Sequence, residues 1–470
     1  MPNPSVDTSE TIAIDAYTGD APVVGHFARE YRGWALVQPR YGKPVMRPPE
    51  LDLAQWRDDR VGWGLILPDR DDRTAEQLAG AGDAPDPIQR LLAHRNGKVL
   101  RYRAGTQFGD WTLRDYGGGG DLLNAASPMG TAARQLPQYL LIYATPLEVP
   151  WRIQYALNPV RFVGRLDLTG EALDNYVEAL LSDWNDSQAS YARPVVWAVD
   201  HGGGDITALM RDVVAEPVYE RLHGDPEMTG ATFVDGRATA ATGGRLHDAL
   251  AANQPSLVVT SSHGMTGPLS DLATMHANLG LPVDASHQII AAATLLDGWR
   301  PDGAIWFAQA CCSAGSDCPT AYTGLFESGS LLDQTLTGIA QAGASIAPLP
   351  RALLGCDKPL RAFVGHVEPT FSWTLSFPPN RQALSADLTR ALHDGVCSGK
   401  PVGLAMSAYY PAIGSLLVSY TAAREDYNGL VGAEAKPSLD MLVYSRVTAH
   451  DRASTVILGD PTAAIPLPQR

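Results

Sequence analysis

Three apolar segments decide the predicted fold: VVWAVD (residues 195–200), SLVVTSS (residues 256–262) and AIWFAQA (residues 304–310). Each is short, continuous and rich in β-branched or aromatic residues, which is typical of a strand buried on both faces. Apolar residues at helical spacing separate and follow them, in residues 206–214, 245–252, 289–296 and 331–342. Strands that alternate with helices are typical of a parallel sheet covered by helices on both faces. The sequence therefore predicts an α/β fold with a mostly parallel sheet.

The first part of the chain has a similar but less regular alternation. Strand-like segments occur at residues 61–68, 138–142 and 160–168, and residues 169–184 have the apolar spacing of a helix. A polar stretch that ends in proline, NDSQASYARP (residues 185–194), follows this helix and has the composition of a linker. We therefore divide the chain into a loop-rich N-terminal arm (1–49), an accessory α/β subdomain (50–184), the linker (185–194) and a main α/β subdomain (195–470).

Composition and charge exclude several classes of protein. Hydrophobic residues make up 45% and charged residues 19% of the 470 residues, which is ordinary for a folded soluble chain and excludes a largely disordered one. The net charge of −15 argues against nucleic-acid binding, which is typical of proteins with an excess of Lys and Arg. Five clustered cysteines do not make a disulfide framework. Residues 1–20 have no signal-peptide pattern, and the uncharged residues 401–423 are interpreted as a core helix rather than a membrane span. We therefore expect a cytoplasmic protein.

Residues with the chemistry of a catalytic pair follow two of the strand segments. His263-Gly264 comes after the second segment, and Cys311-Cys312 comes after the third. Because ligand sites in such sheets lie beyond the carboxyl ends of the strands, we expect a base and a thiol nucleophile at one edge. Gly264 would let a substrate backbone approach, and its N–H could face a developing oxyanion. A turn or helix after Cys311 would present free N–H groups that favour the thiolate.

These strand ends resemble the caspase-like cysteine peptidases, the group that includes caspases, legumain, separase and gingipains. VVTSSHGMTG (residues 258–267) and IWFAQACCSAGSD (residues 305–317) match its His-Gly and Ala-Cys strand ends, in order and about fifty residues apart. Three further segments resemble the bacterial gingipain-type branch: residues 138–165, AFVGHVEPTFSW (residues 362–373) and VILGDPTAAIP (residues 456–466). The resemblance covers roughly residues 138–470. It implies a caspase-like catalytic subdomain at 195–470 with the accessory subdomain beside it.

The resemblance implies a cysteine endopeptidase that needs no metal or organic cofactor. Cys311 would attack the peptide carbonyl, His263 would protonate the leaving amine and then activate water, and the N–H groups of Gly264 and Cys311 would hold the oxyanion. The thiol doublet leaves the nucleophile open. The Gln-Ala-Cys pattern of caspases favours Cys311, whereas counting three residues back from Gly315, as in legumain or separase, selects Cys312. The implied partners are a protein or peptide substrate and an activating protein.

The same resemblance implies a pocket for the side chain that precedes the scissile bond. In the group, the end of the first strand and the residue two before the cysteine help line it; here these are Asp200 and Gln309. Trp373 would form an apolar wall. A buried carboxylate would pair with Arg or Lys, so we expect cleavage after a basic residue, in a bacterial defence or cell-death pathway. The alternative is that Asp200 caps a loop or helix, as we predict for Asp205 at the start of the next helix.

The same residues also allow other interpretations: a second base, a metal site, a nucleotide-binding loop and a protein without activity. His201 also follows a strand segment and precedes glycine, so it is a rival base, whereas His366 is interpreted as structural. Adjacent cysteines rarely bind one zinc ion together, so Cys311 and Cys312 do not predict a metal site. DHGGGD (residues 200–205) lacks the spacing of a nucleotide-binding loop and a Walker lysine. The alternative from another class is a catalytically silent, caspase-like signalling or scaffold protein.

Overall fold

The computed structural model describes residues 11–17, 22–26, 51–105, 110–430 and 432–468. The chain divides into two units, Met1–Leu51 and Asp52–Arg470. In the first unit, strands β1 (Thr11–Tyr17) and β2 (Pro22–His26) pair as an antiparallel hairpin. The predicted loop-rich arm at 1–49 therefore contains one hairpin, and its other residues lie outside the described part of the chain.

The second unit is organised around one sheet of twelve strands. All the strands of the second unit, including those outside this sheet, are in chain order β3 (Trp63–Pro68), β4 (Lys98–Tyr102), β5 (Thr112–Asp115), β6 (Gly120–Leu123), β7 (Tyr139–Tyr143), β8 (Phe162–Leu166), β9 (Val195–Ala198), β10 (Thr232–Asp235), β11 (Leu257–Ser261), β12 (His263–Gly264), β13 (Pro282–Val283), β14 (Ile305–Gln309), β15 (Gly315–Ser316), β16 (Ser345–Ile346), β17 (Ala362–His366), β18 (Ser376–Phe377), β19 (Gln382–Ala383) and β20 (Thr455–Gly459). The large sheet has the order β10-β9-β11-β14-β17-β20-β8-β7-β3-β4-β5-β6, and the six other strands form three small two-stranded sheets.

Helices connect the strands and cover the sheet. They are α1 (Ala75–Ala79), α2 (Asp86–Arg95), α3 (Trp151–Leu157), α4 (Glu171–Leu181), α5 (Ile206–Met210), α6 (Glu216–His223), α7 (Gly243–Asn253), α8 (Leu272–Asn278), α9 (Ala292–Leu296), α10 (Leu331–Gln341), α11 (Pro348–Gly355), α12 (Ser372–Leu375), α13 (Ala386–Arg390), α14 (Val402–Met406), α15 (Pro411–Gly429) and α16 (Lys436–Ala453). A π-helical turn joins α5 to α6, and π and 3-10 turns follow α13.

The large sheet is parallel except at the pairs β17–β20, β4–β5 and β5–β6. The prediction of an α/β fold with a mostly parallel sheet is therefore confirmed. The strand order reverses direction twice, between β3 and β7 and again between β9 and β11. At such a point the connections leave the carboxyl ends towards opposite faces of the sheet and open a crevice between them. The second of these reversals lies where the predicted catalytic residues were expected.

The three segments that predicted the fold form the centre of the second half of this sheet. Every residue of β9, β11 and β14 is buried, in agreement with their uninterrupted apolar sequences. The predicted helices at 245–252 and 331–342 are present as α7 and α10. The predicted helix at 289–296 begins later, at Ala292, because the Ile290 amide donates to the Pro282 carbonyl and keeps the chain extended there.

The uncharged stretch at 401–423 is not a single core helix. It is divided between α14, which is mostly buried, and α15, in which Ile413 and Ala423 are the buried residues. By length and composition, Val402–Gly429 could cross a membrane, and 39% of its most apolar window is buried. The expectation of a core helix therefore holds for α14, whereas α15 packs along α16 and leaves Leu417 and Val418 exposed.

Candidate functional site

The structure brings His263-Gly264 and Cys311 together at one edge of the large sheet. Strand β12 follows β11 and carries His263 and Gly264, while Cys311 follows the adjacent strand β14. A Cβ atom built on Gly264 would lie 1.9 Å from the Cys311 carbonyl oxygen. Only a residue without a Cβ allows the two backbones to approach this closely. The glycine of the His-Gly pair is therefore required by contact with the cysteine, a reason that the sequence did not reveal.

His263 is held by a carboxylate on the neighbouring connection. The predicted helix cap is confirmed, because Asp205 precedes α5 and its Oδ1 accepts the Thr207 amide at 2.8 Å. Its other oxygen, Oδ2, lies 3.0 Å from His263 Nε2. Burial raises the pKa of Asp205, but hydrogen bonds from Thr207 and His263 outweigh it and lower that pKa to about 2. An ionised carboxylate only accepts, so Nε2 carries the hydrogen and Nδ1 is left to accept a proton.

The two cysteines of the doublet have different surroundings. Cys311 is partly exposed, whereas Cys312 is fully buried against Leu279 and Ile339. The Thr370 amide donates to Cys311 Sγ at 3.5 Å. Burial raises the pKa of the Cys311 thiol to about 11, and the Thr370 hydrogen bond opposes that rise. Burial also raises the pKa of Cys312 well above its ordinary value. Both thiols are therefore neutral at pH 7, and a nucleophile here requires a base.

The segment 366–374, which follows β17, lines the other side of the cysteine loop. The Glu368 carbonyl accepts the Cys312 amide at 3.0 Å, and the His366 carbonyl accepts the Ala314 amide at 2.8 Å. The Cys311 amide, by contrast, donates to no carbonyl within the described residues. This amide is therefore available for the oxyanion role that the sequence predicted for it.

Two further histidines stack on the same side of the site as His263. The ring of His201 lies 5.8 Å from that of His263 and 4.3 Å from that of His287, measured between centroids. Burial and the neighbouring His287 lower the pKa of His201. The predicted rival base is thus a neighbour of His263, without the carboxylate contact that His263 makes. His366, interpreted as structural, is 2% exposed inside the sheet.

The residues predicted to line a substrate pocket do not share one environment. The Asp200 carboxylate accepts the Arg237 Nε at 2.7 Å and is already neutralised by that guanidinium. Gln309 is 2% exposed, and its Nε2 has no hydrogen-bond partner. Trp373 is 36% exposed on α12, with its ring 6.2 Å from that of Tyr444. A basic substrate side chain would therefore have to compete with Arg237 for Asp200.

Sequence reasoning missed three groups that contact the proposed catalytic residues or their loop, and a fourth, Asp451, that contacts Thr370. Asp205 was predicted only as a helix cap, and Thr370, Glu368 and Asp451 were not singled out. The sequence feature that could have found Asp205 is its position: it lies in the connection after β9, at the same edge of the sheet as the end of β11, which β12 and His263 follow. The others lie more than fifty residues away from Cys311 along the chain. Glu368 and Thr370 fall in the quoted segment 362–373, but the resemblance gave them no role, and Asp451 lies on a helix that no quoted motif covers.

A cavity of about 230 Å³ lies elsewhere, at the carboxyl ends of β3, β7 and β8. It coincides with the first reversal of strand order, and Arg70, Asp83 and Glu148 are among its lining residues. None of the predicted site residues lines it. In the described part of the chain, no group of three or more His, Cys, Asp or Glu residues is placed to hold a metal ion.

The structure shows an α/β protein in which His263, bonded to Asp205, and Cys311 follow adjacent strands at one edge of the sheet; among the described residues, the hydrogen bonds of the Cys311 sulfur are with Thr370 and not with His263. Comparisons with protein-family models, with curated proteins and with solved structures found no match. Because one fold can host many activities, the residues of the site, and not the fold, indicate the function.

Proposed function

We propose that this chain is a cysteine endopeptidase of caspase-like fold, with Cys311 as the nucleophile and His263 as the general base. One observation carries the proposal: the backbone of Gly264 contacts that of Cys311 at the edge where His263 is bonded to Asp205. A nucleophile, a base and a group that orients the base are the three parts that covalent acyl transfer needs. The resemblance of the two strand ends to caspase-like peptidases supports the same function.

The proposed mechanism follows from the protonation states of the two groups. Because the Cys311 thiol is neutral at pH 7, His263 Nδ1 takes its proton as the sulfur attacks the peptide carbonyl. The N–H groups of Gly264 and Cys311 stabilise the oxyanion. His263 then gives the proton to the leaving amine, and an acyl-thioester on Cys311 remains. Water, deprotonated by His263, hydrolyses this thioester and restores the thiol.

The environments of the doublet support Cys311 over Cys312 as the nucleophile. Attack on a substrate requires a sulfur that can reach solvent, and Cys312 is enclosed by the core residues Leu279 and Ile339. Cys312 also has a φ of +55°. This is the left-handed region that non-glycine residues rarely adopt, so the doublet sits on a tightly constrained turn of the backbone.

The substrate side of the proposal is a protein or peptide cleaved after a basic residue in the bacterial cytoplasm, with an activating protein partner. The acidic net charge of −15 supports attraction of basic segments, although salt would screen most of it. The Asp200–Arg237 pair weighs against a preformed basic pocket at Asp200. The test therefore uses peptides with Arg, Lys, Gln and Asp before the cut.

The test compares the wild type with Cys311→Ala and Cys312→Ala, using those peptides and an alkylating probe located by mass spectrometry. We expect Cys311→Ala to lose at least ~10³-fold in kcat/KM, because acyl-enzyme formation is abolished. Cys312→Ala should retain cleavage with a lowered Tm. If only Cys312→Ala is inactive, the nucleophile is Cys312. If no peptide is cleaved and neither thiol is labelled, the result supports the alternative that the chain is a catalytically silent signalling or scaffold protein.

A further inference from the structure

His450 and Asp451, near the end of α16, form hydrogen bonds with the segment 366–374. His450 Nε2 lies 3.1 Å from a Glu368 carboxylate oxygen, on a side chain that is almost fully buried. Asp451 Oδ2 accepts the Thr370 hydroxyl and the Phe371 amide, each at 3.0 Å, and also the Thr374 hydroxyl. Asp451 is completely buried. A buried carboxylate that gathers three donors from one short segment fixes the path of that segment.

The same segment contacts three residues of the cysteine loop. The Thr370 amide donates to Cys311 Sγ. The Glu368 carbonyl accepts the Cys312 amide, and the His366 carbonyl accepts the Ala314 amide. A chain of contacts therefore runs from Asp451 through Thr370 to the sulfur. Hydrogen bonds weaken steeply as the donor and acceptor move apart. A shift of the segment would therefore take the Thr370 N–H out of hydrogen-bond reach of the Cys311 sulfur.

We propose that Asp451 is a positioning residue for Cys311: it holds the segment 366–374 so that the Thr370 amide stays on the sulfur. The proposal rests on the proposed function for its catalytic meaning, but the contact itself is independent of catalysis. Asp451 touches neither the thiol nor the space where a substrate would lie. It acts through Thr370, from a helix that joins the last strand of the large sheet.

Asp451 has a second, opposite influence on the thiol, which gives the proposal a distinctive signature. The negative charge of Asp451 adds to the rise in the Cys311 pKa, whereas the Thr370 amide that it positions lowers the pKa. The titratable groups around Cys311 include Asp451 and His450 on α16, Glu368 and His366 in the segment, His263 on β12, and Cys312 and Tyr322. His366 Nδ1 lies 3.4 Å from the other Asp451 oxygen, Oδ1. Removal of the Asp451 charge alone should therefore make the sulfur more reactive.

The experiment uses the full chain with Asp451→Asn, Asp451→Ala and, as a control on the same helix, Asp440→Asn. Asp440 is exposed and pairs with Lys436. An asparagine oxygen can accept the Thr370, Phe371 and Thr374 donors, so Asp451→Asn keeps the segment in place and removes the charge. Iodoacetamide alkylation of Cys311 is followed against pH without substrate, and the site is assigned by tandem mass spectrometry.

We expect the alkylation midpoint of Asp451→Asn to move to lower pH, because the charge that raises the Cys311 pKa is removed, with kcat/KM kept within ~3-fold. Asp451→Ala should lose at least ~10-fold in kcat/KM, since the segment is released. Asp440→Asn should match the wild type. If Asp451→Ala keeps wild-type kcat/KM and alkylates like Asp451→Asn, the Thr370 contact does not depend on Asp451 and the proposal is overturned. Because the alkylation profile needs no turnover, a failure of the peptidase assignment appears separately, as absent cleavage by the wild type.

Discussion

At the scale of single residues, Asp205 combines two tasks that are usually separate. Its Oδ1 caps α5 through the Thr207 amide, and its Oδ2 contacts His263 Nε2. Because hydrogen bonds hold its pKa at about 2, the carboxylate stays ionised throughout the pH range in which a histidine titrates. A loss of activity between pH 7 and pH 5 would therefore not report protonation of Asp205.

The contact with His263 predicts the effect of Asp205→Ala. We expect kcat/KM to fall by ~10²-fold, because the base loses its orienting group, while loss of the helix cap costs about 1 kcal/mol of stability. Asp271→Ala is the matched control, since Asp271 caps α8 through the Ala273 and Thr274 amides. Peptide cleavage and Tm are measured for both variants. Equal losses of activity in the two variants would reduce Asp205 to a helix cap.

At the scale of elements, the short strand β12 and the cysteine loop depend on one glycine. No side chain fits at residue 264, because a Cβ atom there would overlap the Cys311 carbonyl. Gly280 plays the same part for the next residue, where a Cβ atom would lie 2.0 Å from the Cys312 carbonyl oxygen. Gly264 of β12 and Gly280, two residues before β13, therefore pack against the backbones of Cys311 and Cys312.

Gly264→Ala should separate β12 from the cysteine loop. The clash involves backbone, so we expect a stability loss of about 1–3 kcal/mol and a fall in kcat/KM of at least ~10²-fold through misplacement of the reacting groups. Gly244→Ala serves as the control, because its Cβ would enter open space in α7 and should stabilise the helix by roughly 0.5–1 kcal/mol. Activity and urea unfolding are compared. A Gly264→Ala variant with the stability and peptide cleavage of the wild type would contradict this role of the contact.

The elements that could be predicted are those whose sequence repeats a physical pattern. β9, β11 and β14 are continuous apolar runs, and their buried positions in the sheet follow from that alone. His263 and Cys311 could be placed at one edge because parallel strands share their direction. Thr370 and Asp451 could not be placed, because their roles depend on a loop conformation and a tertiary contact across 81 residues. The long helix α15 was misjudged, since lack of charge does not tell burial from exposure.

At the scale of the whole molecule, one strand joins the two halves of the large sheet. β20 runs antiparallel to β17 on one side and parallel to β8 on the other. The residues beyond β20 extend the junction: Asp460 Oδ2 accepts the Trp63 indole N–H at 3.1 Å, and the Asp460 amide donates to the Tyr176 hydroxyl. The predicted boundary at residues 185–194 stays a prediction, but the two sides of it share a continuous hydrogen-bonded sheet.

This junction predicts that the two halves lose stability together. Asp460→Ala removes the acceptor of the buried Trp63 N–H and of the Thr462 amide, and each unsatisfied donor costs about 1–3 kcal/mol. Hydrogen exchange is measured by mass spectrometry in β7 and in β11, with Asp248→Ala, at an exposed site on α7, as the control. We expect protection to fall equally in both strands, because breaking the junction exposes an edge of each half. A loss confined to β7 would mean that the halves unfold separately, and that the edge with His263 and Cys311 needs only the second half to stay assembled.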